Sequence, residues 1–203
     1  DGRTILVFVH GYNYNYQEAV LRAAQLSADS AVDVVPILFS WPSQASVGGY
    51  VADRDAVTYA RDDLVRLLTM LGKTPSDRRL VIVGHSMGSW LVVEALRQLR
   101  LQGRNDVIQR LQVGLNAPDI DVDVFRAQMS VIGPLSPPLI VLVSKNDRAL
   151  ALSQRLAEGR PRLGAVAVDD PAIQNLARKT SVRILDITAV PAGDRFNHDR
   201  FTM

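Results

Sequence analysis

Ser86 lies in Gly84-His85-Ser86-Met87-Gly88, which has the G-x-S-x-G pattern of a nucleophilic serine. The apolar run 80–83 precedes the pattern and an amphipathic helical pattern over 86–101 follows it. In a sharp strand-to-helix turn the serine hydroxyl is lifted above the end of the sheet. Residues 84 and 88 are expected to come close to each other there, and glycine at both positions avoids a steric clash between them. Chance also produces such pentapeptides, but it rarely places them between a strand and a helix. The pattern therefore predicts that Ser86 is a nucleophile.

A nucleophilic serine needs a base, and the chain contains three histidines. His85 is next to Ser86 in the turn, which should direct its ring elsewhere. His10 ends the first predicted strand, where it is better placed to brace loops, although it remains an alternative base. His198 lies in a loop after the last predicted strand, and elimination favours it as the base.

The base in turn needs an acid to fix its tautomer. Asp147 directly follows the fifth predicted strand, which reproduces the chain order Ser, Asp, His of one class of catalytic triad. Asp147 could instead only cap the helix that begins near residue 149, and Asp119, after the fourth strand, is a rival acid. The other aspartates nearby either begin a short helix or flank the histidine: Asp121, Asp123, Asp194 and Asp199.

An acyl-transfer site also needs donors for the developing oxyanion. The residue after the nucleophile, Met87, offers one backbone N–H, and Tyr12, in the loop after the first strand, offers a second. Gly11 would let that loop turn tightly. The aromatic residues Tyr12, Trp41 and Tyr50 are predicted to wall an apolar pocket for the acyl or alcohol group, or else to pack the ends of helices.

The pattern of apolar residues predicts six strands that alternate with helices, and thus an α/β fold with a mostly parallel sheet. We expect a three-layer α/β/α sandwich whose functional groups gather at the carboxyl ends of the strands. The predicted strands are 4–9, 32–40, 80–83, 111–115, 139–143 and 182–187. The predicted helices are 16–29, 52–71, 86–101, 121–129, 149–158 and one that begins at Pro171.

The composition narrows the functional classes. The net charge is +2 and no basic patch is visible, which argues against nucleic-acid binding. There are no cysteines, which excludes disulfides and thiolate catalysis. The sequence shows neither clustered metal ligands nor a phosphate-binding motif, so we expect neither a metal nor a cofactor. No apolar run is long enough to span a bilayer and no targeting segment is recognisable.

We expect 203 residues to form a single soluble domain. The chain lacks an initiator Met and enters a strand after three residues, so we expect it to be excised from a longer protein with further domains.

Several segments together resemble the bacterial alpha/beta-hydrolase family once called domain of unknown function 900. The resemblance spans nearly the whole chain and is carried by His10-Gly11-Tyr12-Asn13, Leu38-Phe39-Ser40-Trp41-Pro42-Ser43, Gly84-His85-Ser86-Met87-Gly88, Ala117-Pro118-Asp119-Ile120-Asp121 and Asn146-Asp147-Arg148-Ala149-Leu150. It implies an esterase- or lipase-like serine hydrolase with Ser86, Asp147 and His198 as its triad.

The sequence thus predicts a carboxylic ester hydrolase that acts through an acyl-enzyme intermediate. Because no long inserted lid separates the fourth and fifth strands, small soluble esters are favoured over lipid interfaces. A thioesterase or acyltransferase would use the same residues. A binding module without activity on the same fold is the other alternative, because a fold does not guarantee a function.

Overall fold

Six parallel strands form the single sheet of the computed structural model, which describes residues 3–200 except for the side chain of Val47. The strands are β1 (Thr4–Val9), β2 (Val34–Phe39), β3 (Leu80–His85), β4 (Leu111–Asn116), β5 (Ile140–Val143) and β6 (Arg183–Asp186). Their order across the sheet is β2-β1-β3-β4-β5-β6, and every neighbouring pair is parallel. The predicted α/β fold is confirmed.

Eight α-helices are found among the described residues. They are α1 (Tyr16–Ala28), α2 (Tyr50–Tyr59), α3 (Arg61–Leu71), α4 (Met87–Leu101), α5 (Asn105–Ile108), α6 (Val122–Ile132), α7 (Arg148–Leu156) and α8 (Pro171–Thr180). The single helix predicted over 52–71 is wrong, because the chain breaks at Ala60 into α2 and α3. Val57 before the break and Leu64 after it are both completely buried.

The centre of the sheet is covered on both faces. Successive residues of β1 from Ile5 to Val9 are buried, although their side chains alternate between the faces. Helix α4 packs against α3, α6 and β3, while α1 packs against β2. The buried leucines of α4, such as Leu91 and Leu96, each stabilise this packing by about 1.5–3 kcal/mol. The start of α4, and with it Ser86, is therefore held firmly against the sheet.

Candidate active site

Ser86 occupies a strained turn between β3 and α4. Its φ is +52° and its ψ is −121°, a conformation that costs a non-glycine residue about 1–3 kcal/mol. Neighbouring backbone holds it there, since the Ser86 N–H donates to the carbonyl of Asn116 at 2.9 Å and its carbonyl accepts from Asp119 at 3.2 Å. The side chain makes no capping hydrogen bond to α4. Ser86 is therefore not an ordinary helix cap.

Glycines allow the turn to pack this closely, although not for quite the reason that the sequence suggests. A Cβ on Gly84 would lie 2.7 Å from the Cα of Ser89, across the turn. A Cβ on Gly88 would instead lie 2.3 Å from the carbonyl oxygen of His10, at the end of β1. The expectation that positions 84 and 88 mainly avoid each other is thus wrong for Gly88, which makes room for the adjacent strand.

The loop after β1 lies directly against the serine. A Cβ on Gly11 would be 2.9 Å from the Cβ of Ser86 and 2.8 Å from Nδ1 of His85. Gly11 is required by this close approach and not by a tight turn, because the left-handed residue of the loop is Asn13, with a φ of 60°. Tyr12 is thereby carried to the edge of the same site.

Asp147 pairs with His198. Oδ2 of Asp147 lies 2.6 Å from Nδ1 of His198, and the aspartate is 2% exposed. The other oxygen, Oδ1, accepts the N–H of Leu150 at 2.9 Å and so caps α7. The carboxylate thus makes the contacts expected from both interpretations of the sequence, since one oxygen caps α7 and the other meets His198.

Asp194 organises the loop that carries His198, a role that the sequence analysis did not foresee. Its carboxylate accepts the N–H groups of His198 at 2.8 Å, Phe196 at 3.0 Å and Asp199 at 3.1 Å. The N–H of Arg148, at the start of α7, donates to the carbonyl of Phe196 at 2.8 Å. The bonds to Asp194 fix the shape of the loop, and the bond from Arg148 holds it beside Asp147.

His10 braces two loops. Its Nε2 accepts the N–H of Trp41 at 3.1 Å, which leaves Nδ1 as the donor to the carbonyl of Gly11 at 2.9 Å. Burial lowers the pKa of His10, which keeps the ring neutral. Both ring nitrogens are occupied, so the ring has no free lone pair for a serine proton.

Trp41 does not fit its predicted place in the pocket wall. It is 2% exposed, it stacks on His10 with ring centroids 4.9 Å apart, and its indole N–H donates to the carbonyl of His10 at 2.8 Å. Its apolar surface is taken up by the core, which is why the substrate-binding assignment of Trp41 is wrong.

His85 and His198 are neighbours, with ring centroids 4.6 Å apart. Burial, followed by the proximity of His198, places the pKa of His85 well below its usual range. Burial acts in the same direction on His198, but hydrogen bonding and attraction to Asp147, then attraction to Asp199 and Asp119, outweigh it and raise the pKa of His198. His198 is therefore the ring of this pair that gains a proton readily.

Ser86 and His198 line one cavity of about 480 Å³. Tyr12 and Tyr50 also line it, as the sequence predicts, and their rings meet edge to face with centroids 5.4 Å apart. Other walls are faces of α1, which supplies Leu21, and of α7, which supplies Leu150, Leu152 and Leu156. The loop that carries His198 adds Phe196. A largely apolar cleft thus opens onto the serine.

A buried polar network supports one side of the cavity. Asp119 accepts the hydroxyls of Tyr50 at 2.9 Å and Ser153 at 2.5 Å, and it lies 3.2 Å from Nε of Arg162. Both charged side chains of this ion pair are almost wholly buried. Asp121, two residues further along, has a different role: its carboxylate accepts two backbone N–H groups and caps α6. Asp119 therefore shapes the cavity and does not contact His198 directly.

Helix α7 contributes to the cavity in a way that the sequence does not predict. Ala149, Leu152 and Leu156 fall at helical spacing and line the cavity together, although Leu152 and Leu156 are exposed. The available signal was the apolar residues at helical spacing directly after the predicted acid. Arg162 and Ser153 carry no such local pattern, since their partner Asp119 is distant in the chain.

Comparison with known proteins identifies the family. The family described as alpha/beta hydrolase of unknown function (DUF900) matches residues 1–203. The chain belongs to this family. The resemblance seen in the sequence is confirmed, and with it an alpha/beta-hydrolase domain.

Two crystal structures share the fold of this DUF900 domain. An uncharacterized protein from Bacillus cereus ATCC 10987 is 10% identical with a TM-score of 0.56, and the alignment covers 97% of this chain and 56% of that one. A protein of Thermoplasma acidophilum described as a CIB-like hydrolase is 18% identical with a TM-score of 0.53. That alignment covers 100% of this chain and 84% of the other. At these identities the likeness shows the fold alone.

One curated relative matches part of the DUF900 domain. An uncharacterized protein of Nostoc sp. is 36% identical over 61 residues, which are 30% of this chain and 16% of that protein. The aligned segment is therefore a small part of a much longer relative.

Within residues 3–200, no helix is long and apolar enough to cross a membrane, and no three His, Asp or Glu side chains are grouped to hold a metal.

Proposed function

We propose that the domain is a serine hydrolase of carboxylic esters that acts through Ser86, His198 and Asp147. The observation that carries the proposal is the convergence of a strained serine at +52° with a histidine–aspartate pair at 2.6 Å on one apolar cavity. Nδ1 of His198 is engaged by Asp147, which leaves Nε2 to serve the serine. This is the division of roles that a catalytic triad requires.

In the proposed reaction, Oγ of Ser86 attacks the ester carbonyl carbon while Nε2 of His198 takes the hydroxyl proton. Collapse of the tetrahedral intermediate breaks the bond to the alcohol, which leaves with the proton from His198. A water molecule then attacks the acyl group on Ser86, giving up its proton to His198, and the carboxylic acid departs as that proton returns to Oγ. Asp147 keeps the imidazole in the required tautomer and stabilises its charged form.

The N–H groups of Met87 and Tyr12 are the proposed donors to the oxyanion. Met87 is the first residue of α4, so its N–H has no partner within the helix and lies at the positive end of the helix dipole. The close approach of Gly11 to Ser86 supports the same role for Tyr12, the next residue in the loop. Loss of one such donor typically costs about 10²–10³-fold in kcat.

The cavity supports an apolar acyl or alcohol group as the substrate class. Its volume of about 480 Å³ lies within the range of about 300–1,000 Å³ that is common for small-molecule sites. Its leucines and Phe196 would bury methylene groups, each worth about 0.8 kcal/mol. Tyr50, whose hydroxyl donates to Asp119, is proposed to line the substrate together with Tyr12.

Hydrolysis of a series of p-nitrophenyl esters with acyl chains of increasing length tests the proposal. We expect turnover by the wild type, with kcat/KM rising with chain length until the cavity is filled. Ser86→Ala should lower kcat by about 10⁴–10⁶-fold, whereas Ser130→Ala, on an exposed face of α6, should behave as the wild type. Equal rates for wild type and Ser86→Ala would contradict the proposal.

A further inference from the structure

The loop that carries His198 depends on side-chain contacts for its position. Residues 187–200 contain no helix or strand. One set of contacts joins the loop to the start of α7: Nδ1 of His198 meets Asp147, and the N–H of Arg148 donates to the carbonyl of Phe196. A loop held only on that side could still pivot toward or away from Ser86.

Asp199 supplies contacts on the opposite side. Its Oδ2 lies 2.5 Å from Nη2 of Arg22, and its Oδ1 accepts the hydroxyl of Tyr14 at 3.2 Å. The same Oδ1 is 3.5 Å from Nε2 of His85. Arg22 belongs to α1 and Tyr14 to the loop before it, so Asp199 joins the histidine loop to the other wall of the cavity.

This ion pair differs from the ordinary surface pairs of the molecule. The side chains of Arg22 and Asp199 are 22% and 15% exposed, whereas those of Arg126 and Asp123, an Arg–Asp pair on α6, are 55% and 69% exposed. Exposed pairs contribute little because water screens them. A charge-assisted bond that is shielded from water and shared with a tyrosine hydroxyl is stronger and better fixed in space.

We propose that Asp199 is a positioning residue, and that its contacts with Arg22 and Tyr14 form a latch that holds the neighbouring His198 in place for proton transfer with Ser86. The proposal rests on the proposed function, because it concerns His198 as the base. Asp199 is the next residue along the chain, and adjacent Cα atoms are only about 3.8 Å apart. A movement of Asp199 is therefore passed directly to the imidazole.

The latch also affects how readily His198 is protonated. The titratable and charged groups around His198 are His85 at the end of β3, Asp119 after β4, Asp147 after β5, and Asp194 and Asp199 on its own loop. Arg22 and Tyr14, on the α1 side, act on it through Asp199. Among these, the charge of Asp199 contributes to the raised pKa of His198, after the larger effects of burial and Asp147. Removal of that charge should lower the pKa of the base.

Two variants of Asp199 separate geometry from charge. Asp199→Ala removes the latch and should lower kcat by about 10²-fold, as expected for a displacement of a reacting group by about 1 Å. Asp199→Asn keeps the size and an acceptor for Tyr14, so it should lose less activity while the acid limb of its pH–rate profile moves to lower pH. Arg22→Met should also lower kcat, and Arg22→Lys should lower it less, because a positive charge is kept.

The experiment measures kcat, KM, the pH–rate profile and the thermal midpoint for these variants on an ester that the wild type hydrolyses, with Arg126→Met as the matched control. The control should match the wild type in rate and pH profile. Folded Asp199→Ala with unchanged kcat, a change in KM alone, or Asp199→Asn with an unmoved acid limb would overturn the latch. If the wild type shows no activity that depends on Ser86, it is the proposed function that fails.

Discussion

Asp147 divides the two oxygens of its carboxylate between His198, whose Nδ1 is 2.6 Å away, and the N–H of Leu150 at 2.9 Å. One side chain thus caps α7 and orients the histidine. The same helix start binds the histidine loop through Arg148. The proposed base is therefore tied to the sheet through the helix that follows β5, and its position depends on the integrity of that helix start.

Replacing Asp147 by Asn tests the acid without disturbing the helix. Asn caps helices as well as Asp does, so the fold should persist, but the amide cannot stabilise the imidazolium and favours the wrong tautomer. We expect kcat to fall by about 10⁴-fold. Steady-state kinetics alongside circular dichroism measure the two effects.

Asp119→Asn should give the opposite result. Asp119 is buried with Arg162 and accepts two hydroxyls, and loss of one partner of such a pair typically costs about 3–5 kcal/mol. We expect a lower free energy of unfolding in urea, with kcat retained far better than in Asp147→Asn. If Asp119→Asn abolishes turnover and Asp147→Asn does not, the assignment of the acid is wrong.

The activity should depend on the protonation of His198. The base must be neutral to accept the serine proton, and its pKa is raised above the usual 6.5. kcat/KM should therefore fall as the pH drops through a pKa above 6.5 and level off at higher pH. A pH–rate profile measures this limb, and an acid limb well below pH 6.5 would mean that another group is the base.

The glycines around Ser86 should be intolerant of even a methyl group. Gly88→Ala would bring a Cβ within 2.3 Å of the carbonyl oxygen of His10, and Gly11→Ala would bring one within 2.9 Å of Ser86 itself. Gly114→Ala is the control, because its Cβ would meet only a methyl of Val83 at 3.8 Å.

We expect a loss of about 10²-fold in rate for Gly88→Ala and Gly11→Ala from displacement of the serine, and near wild-type rates for the control. Kinetics on folded protein, checked by thermal melting, provide the measurement. Full activity in folded Gly88→Ala would show that the turn is looser than the structure indicates.

The parts of the site that the sequence predicts are those encoded locally. The strand, turn and helix around Ser86 occupy consecutive residues, and the carboxyl ends of parallel strands must share one edge of the sheet. The second fact brings Asp147, which follows β5, to the edge of the sheet where Ser86 lies, whereas His198 is reached only by elimination among the three histidines. The sequence also predicts Tyr12 and Tyr50 at the cavity.

The parts that it does not predict depend on pairings between distant segments. Arg22 and Asp199, at opposite ends of the chain, form a shielded ion pair that no local pattern encodes. Trp41 follows a strand as Tyr12 does, yet it is buried, because His10 offers its ring a stacking partner and its N–H an acceptor. Residue type and chain position do not distinguish a residue that lines the pocket from one that is buried in the core.

The nucleophilicity of Ser86 is the central claim, and a fluorophosphonate probe measures it directly. The probe forms a covalent bond to an activated serine oxygen with loss of fluoride, and mass spectrometry of peptides then identifies the modified residue. We expect one adduct on Ser86 in the wild type and in Ser130→Ala, and none in Ser86→Ala. Equal labelling of Ser86→Ala, an adduct on a different residue, or no labelling of the folded wild type would contradict the account.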